Sequence, residues 1–157
     1  MVTSDKFREV MGNFATGITV VTTRGKDGEI YGLTVNSFTS VSLDPLLVLV
    51  CFDNRLSSLA HFRHSKRFGI SVLSEHQEDL SRIFAKKDST RPPEIYFDGS
   101  EGQPLLRDAL AHMECEVVDI YPGGDHQIFL GKVLTANILA AGIKPLMYFR
   151  GKYHRLP

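Results

Sequence analysis

Phe7, Val10, Met11 and Phe14 fall at i, i+3, i+4 and i+7, which is one face of a helix. Thr3 or Ser4 supplies its cap, Gly12 lies inside it, and Gly17 ends the region. The period then changes. Residues 18–23 are rich in β-branched side chains and read as a strand. Asp27-Gly28, within residues 24–29, is a hairpin signal, and residues 30–39 read as the returning strand. Asp44-Pro45 interrupts the chain before residues 46–52. That run is apolar on both faces, so it is expected at the centre of a sheet, covered on both sides. Residues 56–62 read as a short helix, 68–73 as a strand, and 75–84 as a helix whose apolar face is Leu80, Ile83 and Phe84. Residues 86–103 are charged, hold Pro92-Pro93, and read as a long ordered loop of the kind that often carries function. Residues 113–120 and 127–137 are strands joined by the turn formers Tyr121 to His126, and 146–149 is a last strand before Gly151-Lys152-Tyr153-His154. Many hairpin-linked strands with few helices predict a closed antiparallel barrel with helices at its ends.

Composition narrows the class. The 157 residues fit a single domain spanning 1–157, and 43% apolar with 23% charged residues is ordinary for a soluble globular chain. Lys plus Arg equals Asp plus Glu at 18 each, which argues against a nucleic-acid surface. Cys51 and Cys115 lie in apolar stretches without CxxC spacing and read as reduced thiols. No apolar leader opens the chain, and the run from Leu46 to Phe52 is too short to span a bilayer, so the expected location is the cytoplasm.

Several chemistries are absent from the pattern. There is no GxSxG elbow and no Walker loop, and the glycines at 25, 28 and 32 do not form GxGxxG within a βαβ unit. His61 and His64 share a helical face but lack a third ligand, so no metal site is expected. Three segments stand out instead. Thr34-Val35-Asn36-Ser37-Phe38-Thr39-Ser40-Val41-Ser42 holds six hydroxyl or amide side chains in nine residues, which suits a ligand with many polar edges such as a flavin, or else an exposed edge strand. Ser57-Ser58 opens a short helix and suits a phosphate, or else a plain cap. Gly123-Gly124-Asp125-His126 places an acid and an imidazole at a loop tip, either for a substrate or for a turn in which the Asp satisfies main-chain N–H groups.

Together these segments resemble the short-chain flavin reductases of two-component monooxygenases, small NAD(P)H:flavin oxidoreductases of the FMN-binding split-barrel superfamily. The likeness runs from Phe7 to Tyr153 and is carried by residues 17–22, the run from Gly32 to Ser42, Asp44-Pro45, Gly124-Asp125-His126, Gly131-Lys132-Val133, and the ending from Pro145 to Tyr153. Where that family often has two prolines after the acidic residue, Pro45 is followed here by Leu46. The resemblance implies a mainly β, antiparallel FMN-binding split β-barrel with a few flanking helices, assembled as a homodimer. It implies hydride transfer from NADH or NADPH to FMN, with FAD as the alternative flavin, and a flavin-dependent monooxygenase as partner. By the same resemblance Thr34, Val35, Asn36 and Ser37 line the isoalloxazine and ribityl chain. Ser40, Val41 and Ser42 approach from the same loop, and Cys51, Phe52 and Asp53 continue the pocket. Ser57 and Ser58 meet the phosphate, while Phe84 and Lys86 close over it. His126 contacts the nicotinamide nucleotide at the reacting end, together with Lys152, Tyr153 and His154. A non-enzymatic FMN-binding electron carrier or a pyridoxamine-phosphate-oxidase-like protein is the alternative use of such a barrel.

Overall fold

Thr3 starts the first helix: its Oγ1 accepts the Lys6 N–H at 3.2 Å, and α1 runs Ser4–Gly12 with Asp5 in the first turn, where a carboxylate suits the helix dipole. The computed structural model describes residues 1–157. A two-residue strand β1 (Thr16–Gly17) precedes β2 (Thr19–Arg24) and β3 (Ile30–Val35), which pair antiparallel across the Asp27-Gly28 turn. The Asp27 carboxylate organises that turn by accepting the Glu29 N–H at 3.1 Å and the Tyr31 hydroxyl at 2.6 Å.

The single strand expected over 30–39 is broken. β3 stops at Val35 and β4 (Phe38–Leu43) begins after Asn36 and Ser37. Val35 is buried in the core and Phe38 packs against the same core. Three residues apart, they would point to opposite faces of one continuous strand, because side chains alternate. Two residues of irregular backbone let both point inward.

β5 (Leu46–Asp53) alternates, with Val48, Val50 and Phe52 buried and Leu47, Leu49 and Cys51 half-exposed, so only one of its faces is fully covered. Its apolar run had implied cover on both sides. α2 (Leu59–Ser65) starts later than expected, because residues 56–58 form a turn ahead of it. Next come β6 (Arg67–Val72) and α3 (Glu78–Ala85). The charged segment read as a long loop holds a 3-10 turn, Pro93–Ile95, and a small hairpin of β7 (Tyr96–Asp98) and β8 (Pro104–Leu106). β9 (Ala111–Gly123) and β10 (His126–Ile138) form a long hairpin, longer at both ends than the apolar pattern marked. β11 (Leu146–Phe149) turns into β12 (Lys152–Arg155), a strand whose polar sequence gave no signal. Arg150 and Gly151 between them both have positive φ, 48° and 74°, the backbone of a tight primed hairpin turn.

Seven strands form one sheet in the order β3-β2-β6-β9-β10-β5-β4. Its two edges, β3 and β4, are consecutive in sequence and joined only by Asn36 and Ser37, so the sheet must roll until its edges nearly meet. They are not hydrogen-bonded to each other. The closed barrel expected from the pattern is therefore a mainly β, antiparallel barrel with one open seam. Inside it Phe52 packs against Phe62 and Phe129, each with ring centroids 4.8 Å apart, alongside Phe68 and Ile70. A second cluster under α3 joins Ile18, Val20, Leu73, Phe84, Tyr96, Leu106 and Leu146. No helix is long and apolar enough to cross a membrane.

His112 lies in this interior with its Nε2 2.6 Å from the Leu106 carbonyl, and burial pushes its pKa below the ordinary 6.5. The folded chain thus holds a neutral imidazole that the unfolded chain protonates below pH 6.5. Stability from this group is complete above that pH and declines as pH falls, by up to about 1.4 kcal/mol per unit. His112→Gln keeps a donor for Leu106 and removes this proton. Urea midpoints measured from about pH 7 to pH 5 should fall less steeply for the variant than for the parent.

Candidate functional site at the open seam

Strand β3 is a sheet edge, so its outer N–H and C=O groups have no strand partner. Along that edge lies a cleft of about 730 Å³, walled by residues 30–34 on one side. The Leu56, Ser57 and Ser58 turn and the segment from Phe84 to Ser89 complete it, with Arg91 and Tyr96. Gly32 brings Phe84 into the wall, since a Cβ there would lie 2.9 Å from the Phe84 ring. Five cations line the cleft, Arg24, Arg55, Lys86, Lys87 and Arg91, against two carboxylates, Glu29 and Asp88. The Arg91 guanidinium sits 4.6 Å over the Phe84 ring centroid, and its Nε is buried without a hydrogen-bond partner. A buried unpaired donor is costly, so this atom calls for an acceptor, and an anion is the best one. The Ser58 side chain caps no helix N–H, which leaves its hydroxyl free and sets aside the plain-cap reading.

Of the residues singled out from the sequence, the cleft gathers Thr34, Ser57, Ser58, Phe84 and Lys86. The Thr34 Oγ1 donates its proton to the Ser81 carbonyl at 2.6 Å, so towards a ligand it can only accept. The Ser81 hydroxyl lies 2.8 Å from the Tyr153 hydroxyl, and Arg82 stacks 4.6 Å over the Tyr153 ring. Tyr153 is thereby tied to Thr34 through Ser81. No sequence signal marked Ser81, which reads as a polar position between Leu80 and Ile83. Arg91 was equally hidden in the charged segment.

The hydroxyl-rich run continues from the cleft's end but does not line it. Ser37 Oγ donates to the Cys51 carbonyl at 3.0 Å, Thr39 Oγ1 donates to Ser40 O at 3.2 Å, and Ser42 Oγ accepts the Asp44 N–H at 3.2 Å. Ser37 and Thr39 thus spend their hydroxyl protons within the chain, while Ser42 keeps its own. Asn36, Ser37, Ser40 and Val41 are exposed and Ser42 is half-buried. Val35 and Phe52 are core residues, at 5% and 0% exposure, and can offer a ligand only main-chain atoms. Cys51 is half-buried, and burial raises its thiol pKa, so it is a poor nucleophile.

The Gly-Asp-His segment is fastened to the far end of β5. His126 pairs with Asp53 in the sheet register, the Asn54 N–H donates to the Asp125 carbonyl at 2.9 Å, and Asn54 Nδ2 donates to Gly124 O at 3.2 Å. His126 Nδ1 is 2.7 Å from Asp125 Oδ1, and this bond lowers the Asp125 pKa. The carboxylate therefore orients the imidazole, leaving Nε2 directed elsewhere. Asp53 in turn holds Arg55 by a two-point contact, 3.1 Å from Nε to Oδ1 and 2.7 Å from Nη2 to Oδ2, and this guanidinium keeps the Asp53 carboxyl well below the usual range. Arg55 belongs to the cleft wall, so the His126 hairpin stands beside the cleft through Asp53. Lys152 and His154 lie on β12 with Tyr153, Lys152 opposite Phe149 and His154 opposite Met147, outside the cleft lining.

A family model described as the flavin reductase like domain matches residues 11–157. The NADH-dependent flavin reductase StyB of Pseudomonas fluorescens is 39% identical over 158 aligned positions, covering 99% of this chain and 92% of that protein. The reductase component of the flavin-dependent trigonelline monooxygenase of Acinetobacter baylyi is 41% identical over 94% of this chain, and the chain spans 47% of that longer protein. Among solved structures, the Streptomyces globisporus NADH:FAD oxidoreductase in complex with NAD and FAD fragments aligns with a TM-score of 0.91 at 38% identity, covering 100% of this chain and 96% of the other. With a seam cleft rich in cations, an oriented imidazole beside it and a family match over nearly its whole length, the chain belongs to the flavin reductase like family.

Proposed function

We propose that this chain is an NADH-dependent flavin reductase whose flavin lies along the open seam, and that the seam is the split of an FMN-binding split barrel. The observation that carries the reading is the cationic cleft beside an unpaired strand edge, with the Arg91 Nε buried and unsatisfied. A flavin nucleotide fits that set: its phosphate meets Arg91, Lys86 and the free Ser57 and Ser58 hydroxyls, and its polar ring edge meets main-chain groups of β3 and the Thr34 acceptor. Bound there, the flavin supplies the acceptor for the hydride that the reduced nicotinamide gives up.

The protein's part is positioning. The Phe84 ring and the Arg91 plane stacked on it close one side of the cleft. Thr34, held by Ser81, fixes an acceptor at the ring end, and Tyr153 buttresses Ser81. His126, oriented by Asp125, offers Nε2 to the nicotinamide nucleotide. No side chain acts as a nucleophile, and rate comes from holding the two rings within about 3–3.5 Å. NADPH is the lesser donor in this reading.

A second copy completes the surface. α1 buries none of its residues, leaving Phe7 at 59% exposure; Phe14 just after the helix is 70% exposed, and Leu43 on the outer strand is 88% exposed. Large apolar side chains left this exposed on one chain suit an interface with a partner. A homodimer covering these faces is part of the proposal, as is a flavin-dependent monooxygenase that consumes the reduced product.

Anaerobic mixing of the chain with flavin and NADH tests the proposal. Bleaching of the oxidised flavin absorbance at a rate saturating with NADH is expected. Flavin that binds yet stays oxidised with both NADH and NADPH would reduce the chain to a flavin carrier and overturn the reductase reading.

A further inference from the structure

We infer that a second groove, which shares no residue with the seam cleft, is a docking surface for a basic segment of another protein, one that carries large apolar side chains between Lys or Arg residues. The groove has a volume of about 510 Å³ and lies where the start of α3 meets the 3-10 turn, the turn after β8 and the connection from β10 to β11. Its apolar face is Leu80, Ile95 and Ile143. Leu80 and Ile95 are rooted in the core cluster under α3. The apolar surface runs on past the groove, with Ile143 at 41% exposure and Ile138 and Leu139, at the end of β10, at 82% and 50%. The Leu139 N–H donates to the Leu110 carbonyl at 2.8 Å, which holds this rim close to Asp108.

Charge selects the occupant. The lining carries three carboxylates, Asp79, Glu94 and Asp108, and none of them takes part in an ion pair. Its one guanidinium, Arg107, is turned elsewhere: Nε donates to the Glu94 main-chain carbonyl at 3.2 Å, and the group sits 5.6 Å from the Phe97 ring centroid. His76 faces Glu75, with Nε2 4.0 Å from Oε1. An apolar face ringed by unpaired carboxylates is the complement of an apolar segment flanked by cations. A second copy does not bring that charge, because α1, the exposed apolar helix of this chain, pairs Lys6 with Glu9 at 2.8 Å and Arg8 with Asp5 at 2.9 Å. The floor of the groove is already built. Gln77, 5% exposed, accepts the Ser74 N–H at 3.0 Å and donates to the Arg107 carbonyl at 2.8 Å, and the Arg107 N–H donates to the Ile95 carbonyl at 2.9 Å. A preformed groove costs a partner little ordering. Pro93 and Tyr96 line the seam cleft while Glu94 and Ile95 between them line this groove, so a docked segment sits beside the seam without entering it.

Titration of the full chain with a short amphipathic peptide of leucine and lysine, followed by heteronuclear NMR, tests the inference. The expected result is saturable binding with shifts centred on the amides of Leu80, Ile95, Asp108 and Ile143. The same peptide with glutamate in place of lysine should not bind. Asp79→Asn combined with Asp108→Asn should weaken the lysine peptide by about ten-fold, the worth of two lost charge pairs. Asparagine tolerates the left-handed backbone at Asp108, where φ is 59°, so this variant keeps the shape of the groove. Added salt should weaken the parent complex in the same direction. Ile143→Asp places a charge on the apolar face and should abolish binding, and because Ile143 is exposed the urea midpoint should stay at that of the parent. A parent chain that does not bind the peptide would overturn the inference, as would shifts centred on the seam cleft or equal binding by parent and variants. Groove variants that change the mass of the chain in solution would assign the surface to a second copy and overturn it as well.

Discussion

Replacing Glu114 with alanine lowers the stability of the chain by about 3–5 kcal/mol, a drop of roughly 10 °C in Tm for a chain of this size. Glu114 is 1% exposed, near the start of β9. Its carboxylate accepts the Glu101 N–H at 2.9 Å, the Gln103 N–H at 3.0 Å and the Thr135 hydroxyl at 3.0 Å. One side chain thus satisfies two main-chain donors of the turn between β7 and β8 and pins that hairpin to the barrel. Alanine leaves both donors without a partner and opens a void, and the two costs add. Glu114→Gln retains the shape and one acceptor oxygen, so its loss should be about half as large. Urea unfolding of both variants checks the order, and an alanine variant within about 1 kcal/mol of the parent would refute the clamp. The hairpin that Glu114 anchors carries Tyr96, which lines the cleft. A loosened hairpin should therefore also weaken flavin binding, although Glu114 touches no ligand.

Neither this clamp nor the cleft was readable in the sequence, and the reason is the same. Periodicity reports which face of an element is apolar, and it marked α1, while β-branched content marked β2. It cannot report a polar side chain whose partners come from a turn that is close in space and not in pattern. Glu114 falls inside the strand expected over 113–120 and His112 just before it, and neither carries a signal of its own, while Ser81 sits in the helix expected over 75–84. β12 was invisible because its four residues are polar and its pairing is dictated by the Arg150-Gly151 turn. The seam itself follows from strand order, since β3 is an edge only because β4 pairs at the opposite end of the sheet. What sequence did offer was chemistry: Thr34, Ser57, Ser58, Phe84 and Lys86 were marked in separate segments and meet in one cleft. The hydroxyl-rich run is divided between two strands. The break at Asn36 and Ser37 sends its second half along the exposed strand β4; Ser37 in the break and Thr39 in the strand donate to main-chain carbonyls.

Changing His126 to alanine raises the KM for NADH by about ten- to a hundred-fold, the range for losing a hydrogen bond to a charged group, and leaves flavin affinity unchanged. The split between the two ligands follows from position. His126 opens β10 outside the cleft lining, so its removal strips no flavin contact. Its imidazole is held at Nδ1 by Asp125, which fixes the tautomer and leaves Nε2 as the working atom. The hairpin that carries it is clamped to β5 through Asn54, so truncation at Cβ should not release the backbone. Asp125→Asn should move the KM in the same direction by a smaller factor, because the amide oxygen that replaces the carboxylate is a neutral and weaker acceptor for the ring. Since KM equals a dissociation constant only when chemistry is slow, direct titration with NAD accompanies the kinetics. An unchanged KM would remove His126 from the nucleotide site. A flavin Kd rising in step with the KM would show that the hairpin holds the cleft together through Asp53 and Arg55, with no direct part in seating the nicotinamide.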